Sequence, residues 1–168
     1  VADQGAAPFY TGQIARDIVA AVRTEPNPGL LTMEDFARYE VVEREPVCID
    51  YRQNEVCGMG PPSSGGLTVG QMLAMLEAFD LPAMGEGVEA RHLFAEASRL
   101  AFADRGMYMA DSDFVDMPKG LLDRAYLAER AALIDSSASM GKAEAGDPPW
   151  DETKLYAPDV ERPRHGTS

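Results

Sequence analysis

The chain has 168 residues, 45% of them hydrophobic and 26% charged, and its 28 acidic against 15 basic side chains give a net charge of −13. That length and apolar share are enough for a hydrophobic core. The charge argues against a phosphate-neutralising nucleic-acid surface and against an anionic membrane partner, and reads as a solvated acidic exterior. No apolar run approaches the ~20 residues of a bilayer span, and the chain opens at Val1 with neither an initiator Met nor a signal-like apolar stretch.

Taken in chain order, residues 11–23 carry Ile14, Ile18, Val19 and Val22 at helical spacing, with Thr11 as the expected N-cap. Two prolines and a glycine in residues 24–29 break that helix. Thr32 and Asp35 then have the spacing of a capping box, opening a short helix that ends near Tyr39. From residue 40 to 59 the period changes: Val41, Val42, Val47, Ile49, Tyr51 and Val56 predict strands with a hairpin near 52–55, and Pro46 marks an edge or a bulge.

GPPSSGG at residues 60–66 fixes backbone at its prolines and permits close backbone approach at its glycines. Ser63 or Ser64 is the expected cap of a helix over 66–79, with Leu67, Met72, Leu73, Leu76 and Phe79 on its apolar side. Residues 80–87 read as a loop. A long helix follows over 88–108, its buried stripe expected from Leu93, Phe94, Ala97, Leu100, Ala101 and Met107. Another helix covers 124–135, with Asp123 as N-cap and Tyr126, Leu127, Ala131 and Leu133 inward. Residues 136–168 turn polar and Gly/Pro/Ser-rich and read as an exposed or disordered segment. Two parts result, a helical and hairpin portion over 1–135 and this tail. The fold class is α+β, predominantly helical with four principal helices beside a small antiparallel hairpin.

Residue chemistry alone points to little catalysis. With the hairpin turn placed at Gln53-Asn54, Asp50 opposes Cys57 and Cys48 lies one pair further along, a diagonal placement that favours two free thiols. A metal site is not expected there, since no His or further Cys lies nearby. Asp104, Asp111, Asp113 and Asp116 fail the calcium-loop pattern at Val115 and read as loop and capping residues. His92 has no partner that would make it a base, and Ser63 and Ser64 suit turn and cap duty better than nucleophilic attack. No cofactor is implied.

The order of short runs is more telling than any one of them. FYTGQIA at 9–15, GLLTMED at 29–35, REP at 44–46, YR at 51–52, PPSSGG at 61–66 with QML at 71–73, AEA at 95–97 with RLAFADR at 99–105, DFVD at 113–116, RA at 130–131 and LID at 133–135 follow one another as in the γ-glutamyltransferases. Over about residues 5–135 the chain resembles the later part of that family's large subunit. Gln53 and Gly60 stand where the family usually has Gly and Pro.

That resemblance implies several expectations. The intact protein would be an N-terminal-nucleophile hydrolase of four-layer αββα architecture, made as a precursor that cuts itself before a threonine. Thr167 aligns with that nucleophile and Gly166 with the residue before the cut. The implied reaction transfers a γ-glutamyl group from glutathione or a related amide to water or an acceptor amino acid. The implied partner is the small-subunit segment of the same precursor, and the implied compartment is periplasmic or extracellular. Most residues gripping the glutamyl group would lie outside these 168 residues, so none is assigned here and the chain alone is expected to be inactive. A cephalosporin or glutaryl acylase-like amidase of the same fold is the rival reading, with a non-catalytic helical module as a third.

Overall fold

Local side-chain chemistry sets the helix starts in the first of two units, Val1–Glu43. The computed structural model describes residues 1–150. Thr11 does not cap the helix after it. Its hydroxyl donates to the Ala7 carbonyl at 3.0 Å, closing a short helix α1 (Ala7–Tyr10), and Gly12 takes the N-cap position of α2 (Gln13–Val22). The predicted capping box is present: Asp35 N–H donates to Thr32 Oγ1 at 3.3 Å and Thr32 N–H to Asp35 Oδ2 at 2.8 Å, opening α3 (Met33–Arg38). These bonds from Thr32 hold the Asp35 carboxyl below its usual pKa. Rings join α1 to α3, with Phe9 edge-on to Phe36 and Tyr10 stacked on Tyr39.

The second unit begins at Arg44. Its sheet is one antiparallel hairpin of β1 (Val47–Tyr51) and β2 (Asn54–Gly58), pairing Tyr51 with Asn54, Ile49 with Val56 and Cys48 with Cys57. The turn is therefore Arg52-Gln53, one residue earlier than its sequence suggests, and Arg52 supplies the positive φ of 57°. This register sets Ile49 beside Val56 on the face that packs into the core. It also brings Cys48 directly opposite Cys57, where they form a disulfide. The expectation of free thiols is thus corrected, because the slip by one pair turns a diagonal neighbour into a facing one.

Helix α4 (Gly65–Leu76) lies against the hairpin, against α6 (Val88–Tyr108) and against α7 (Arg124–Ala131). Its start depends on a close backbone crossing: a Cβ on Gly66 would sit 2.8 Å from the Met59 carbonyl oxygen. Ser64 occupies the N-cap position without a side-chain capping bond, contrary to expectation, and Ser63 Oγ accepts only a long 3.4 Å bond from Gly65 N–H. The expected loop over 80–87 contains a single helical turn, α5 (Leu81–Met84), capped by Asp80. A 3-10 turn at Lys119–Leu122 leads into α7, whose N-cap is Asp123 as predicted.

The core gathers Met72, Met75 and Leu76 from α4, Leu93, Leu100 and two alanines from α6, and Leu122, Leu127 and Ile134 around α7. Ala97 and Ala101 are fully buried within this core. Three residues expected inside are not. Phe94 and Met107 sit at the edge of the predicted stripe and face outward, and past the end of α7 Ile134, not Leu133, turns inward. The principal helices are α2, α4, α6 and α7, in line with the predominantly helical class.

Candidate functional site

Polar side chains spaced along α6 meet the segment that follows α7 in the same order as the chain itself. His92 Nε2 bonds the Asp135 carbonyl at 2.8 Å, which requires the ring nitrogen to donate. Glu96 accepts from Ser139 Oγ at 2.9 Å and from Met140 N–H at 2.8 Å, and Arg99 donates to the Gly141 carbonyl at 2.8 Å. Asp104 accepts from Gly146 N–H at 2.9 Å, and Tyr108 donates to the Gly146 carbonyl at 2.6 Å. Trp150 completes the series edge-on to the Tyr108 ring. The segment is thus a strap running parallel to α6. Residues 136–150 lack helix and strand and are mostly exposed, in keeping with the expected exposed segment; side chains nonetheless fasten them along their length, and Pro148 is fully buried.

Asp104 is the hub of this arrangement. It is 1% exposed. Oδ2 accepts from Tyr126 Oη at 2.5 Å and from Gln71 Nε2 at 3.2 Å, while Oδ1 accepts from Arg130 Nη2 at 3.1 Å as well as from Gly146. Arg130 Nη2 also donates to the Glu144 carbonyl at 2.8 Å. One carboxylate therefore ties α4, α6, α7 and the strap together, and its lone pairs are met by a buried cation and three neutral donors. Burial first, and then the Asp104 carboxylate, push the Tyr126 hydroxyl far above the ordinary phenol range, so it stays a donor. Burial also raises Tyr108. Burial pushes the Glu96 carboxyl up, but the bonds from Met140 and Ser139 and the nearby Arg99 and His92 charges outweigh it and hold its pKa below the usual value.

The other residues singled out from sequence do not assemble a catalytic pair. Ser64 Oγ accepts from Arg105 Nε at 2.8 Å and bonds no base. Asp113 forms a two-pronged ion pair with Arg44, which lowers the Asp113 pKa. Asp111 caps a turn by accepting from Asp113 N–H. Gly166 and Thr167 lie outside the described residues.

Comparison with known proteins fixes the family. The sequence profile described as gamma-glutamyltranspeptidase matches residues 1–168. The chain belongs to the γ-glutamyltranspeptidase family. Within it, the glutathione hydrolase proenzyme of Escherichia coli is 42% identical over 146 residues, covering 86% of this chain and 25% of the relative. The acylase ACY 1 proenzyme of Pseudomonas sp. (strain V22) is also 42% identical, over 139 residues, covering 80% of this chain and 24% of the relative. The crystal structure of the Helicobacter pylori gamma-glutamyltranspeptidase superposes with a TM-score of 0.71 at 38% identity, covering 86% of this chain and 41% of that one. The chain thus spans about a quarter of the length of these curated relatives. Among the described residues no helix is long and apolar enough to cross a membrane.

Proposed function

We propose that the intact protein is a γ-glutamyl-transferring amidohydrolase whose nucleophile is Thr167, exposed by cleavage after Gly166. The supporting observation is the family match across the whole chain, Gly166 and Thr167 included, together with relatives that are themselves proenzymes. The chemistry follows from the residues. The Thr167 hydroxyl adds to the Gly166 carbonyl, the peptide nitrogen leaves, and water opens the resulting ester. The freed α-amine, with an ordinary pKa of about 8, then serves as base for its own hydroxyl. Glutathione or a related γ-glutamyl amide acylates that hydroxyl, and water or an amino acid takes the acyl group. The strap and its Asp104 anchor would hold the described chain in place up to Trp150.

The complete protein would have the four-layer αββα architecture, with the remaining strands and the small subunit supplied by the rest of the precursor. The Cys48–Cys57 disulfide accords with an oxidising compartment, periplasmic or extracellular. Intact-mass analysis of the full-length gene product tests the proposal. Two pieces parted between Gly166 and Thr167, and a single uncut chain in Thr167→Ala, are expected. An uncut parent chain with full amidase activity would refute it.

The equal identity to an acylase proenzyme favours one alternative, a glutaryl acylase-like amidase of the same fold. Glutaryl differs from γ-glutamyl only in lacking the α-amino group. Relative kcat/KM on the p-nitroanilides of the two acids therefore separates the readings, and at least a hundredfold preference for γ-glutamyl is expected when the ammonium is gripped by a buried polar site.

A further inference from the structure

We propose that the hairpin carries a latent divalent-metal site, formed by Cys48, Cys57 and Glu55 once the disulfide is reduced. The inference stands on the hairpin alone and is independent of the acyl-transfer reading. Its basis is the register. Cys48 faces Cys57 across the ladder, and Glu55, two residues before Cys57 on β2, shares the side of the sheet that carries both sulfurs. The two sulfurs and a Glu55 carboxylate oxygen all lie within 4.8 Å of one another. In the oxidised hairpin the two sulfurs are covalently joined, so after reduction a side-chain rotation at the exposed Cys57 has to open them to the ~3.8 Å edge of a tetrahedron whose bonds run ~2.3 Å to sulfur, with Glu55 already within reach.

The surroundings favour a soft cation. Cys57 and Glu55 are exposed and Cys48 half-buried, so a reductant and then a metal can reach the group from solvent. Asp50 pairs with Glu55 across the strands and adds a second carboxylate beside the site. Two thiolates with one carboxylate match Zn²⁺, and the set is poor for Ca²⁺ or Mg²⁺, which take oxygen ligands throughout. With three protein ligands the fourth position would go to water.

The reduction balances as an ordinary exchange. A thiolate of a small-molecule thiol attacks the exposed Cys57 sulfur, the sulfur–sulfur bond breaks, and Cys48 leaves as thiolate. A second equivalent of thiol attacks the mixed disulfide and departs as the oxidised small-molecule disulfide, so the protein gains two electrons. Metal binding then displaces the remaining thiol protons and holds both sulfurs as thiolates. Oxidised, the hairpin is closed by a covalent staple; reduced, the same two sulfurs can be bridged by a metal ion instead.

Co²⁺ titration of the full-length protein is the test, with a phosphine reductant in place of a thiol so that the reductant does not compete as a ligand. The reduced protein is expected to take up one Co²⁺ more than the oxidised protein, with a thiolate-to-cobalt charge-transfer band that Zn²⁺ abolishes. The band should vanish in Cys57→Ser, and Glu55→Gln should weaken binding about tenfold or more, as loss of a ligand does. Glu55 is exposed, so that variant tests the site without disturbing the core, and an unchanged far-ultraviolet dichroism spectrum verifies its fold. Equal cobalt uptake in both redox states, a band that survives Cys57→Ser, or unchanged affinity in Glu55→Gln would each overturn the proposal.

Discussion

Removing the Asp104 carboxylate strands the Arg130 guanidinium, itself only 6% exposed, without its counter-charge. Breaking one side of such a pair costs about 3–5 kcal/mol, so Asp104→Ala is expected to lower the urea midpoint of the full-length protein sharply. Tyr126→Phe removes only one donor to the same carboxylate and should cost about 1.5–3 kcal/mol. A second position checks the same cluster from the strap side. A Cβ on Gly146 would sit 2.4 Å from the Tyr126 hydroxyl oxygen, so Gly146→Ala must push that ring or the strap aside and should cost about 1–3 kcal/mol. Sequence carried a signal for this cluster that charge alone conceals. Asp104 lies four residues beyond Leu100, and Arg130 three beyond Leu127, both in phase with a buried stripe. Reading the aspartates by their loop neighbours hid that phase. Thr11 and Ser64 failed as caps for a related reason: a hydroxyl near a helix start has several acceptors and donors within reach, and here Ala7 and Arg105 claimed them.

Helix existence was legible because 3.6-residue periodicity and side-chain caps are local, and α6 appears over the predicted span of 88–108. The hairpin register was not, since a slip by one pair leaves the same residues on the same face and changes only which of them oppose. The strap was illegible for a different reason. It has no periodicity of its own and owes its order to side chains on α6. That dependence makes it sensitive to acid. Glu96 has a folded-state pKa below its ordinary value of 4.5. Its contribution is therefore fully present above about that pH and is lost as pH falls through the lower folded value. Amide hydrogen exchange at Met140, corrected for intrinsic rate, should show protection that is flat from neutrality to about pH 5 and then declines. In Glu96→Gln that decline should disappear, with protection low throughout. The hairpin offers a separate measure of element stability. Its disulfide closes a short loop, and Cys48→Ser is expected to cost about 2–3 kcal/mol on the chain-entropy model.

At the scale of the molecule, the family was legible through the order of short motifs and through nothing the described residues do chemically. The residue types that could in principle be catalytic are used for structure, as their sequence surroundings suggest: His92 holds a carbonyl, and Ser64 holds Arg105. The surface has a matching character. Phe94 and Phe102, two turns apart on α6, are both more than half exposed, as are Leu30 and Phe114. Only Phe94 and Phe102 share one helix, so they alone mark a strip of α6 that a neighbour could cover. A definite outcome follows for the 168 residues purified alone. The mass should remain unchanged on prolonged incubation, γ-glutamyl-p-nitroanilide should not be turned over, and a dye that binds exposed apolar surface should fluoresce more strongly per chain than with the full-length protein. Turnover by the short chain would mean that a working nucleophile, base and oxyanion site all fit within it, and would overturn the proposal that the active site is completed by residues outside these 168.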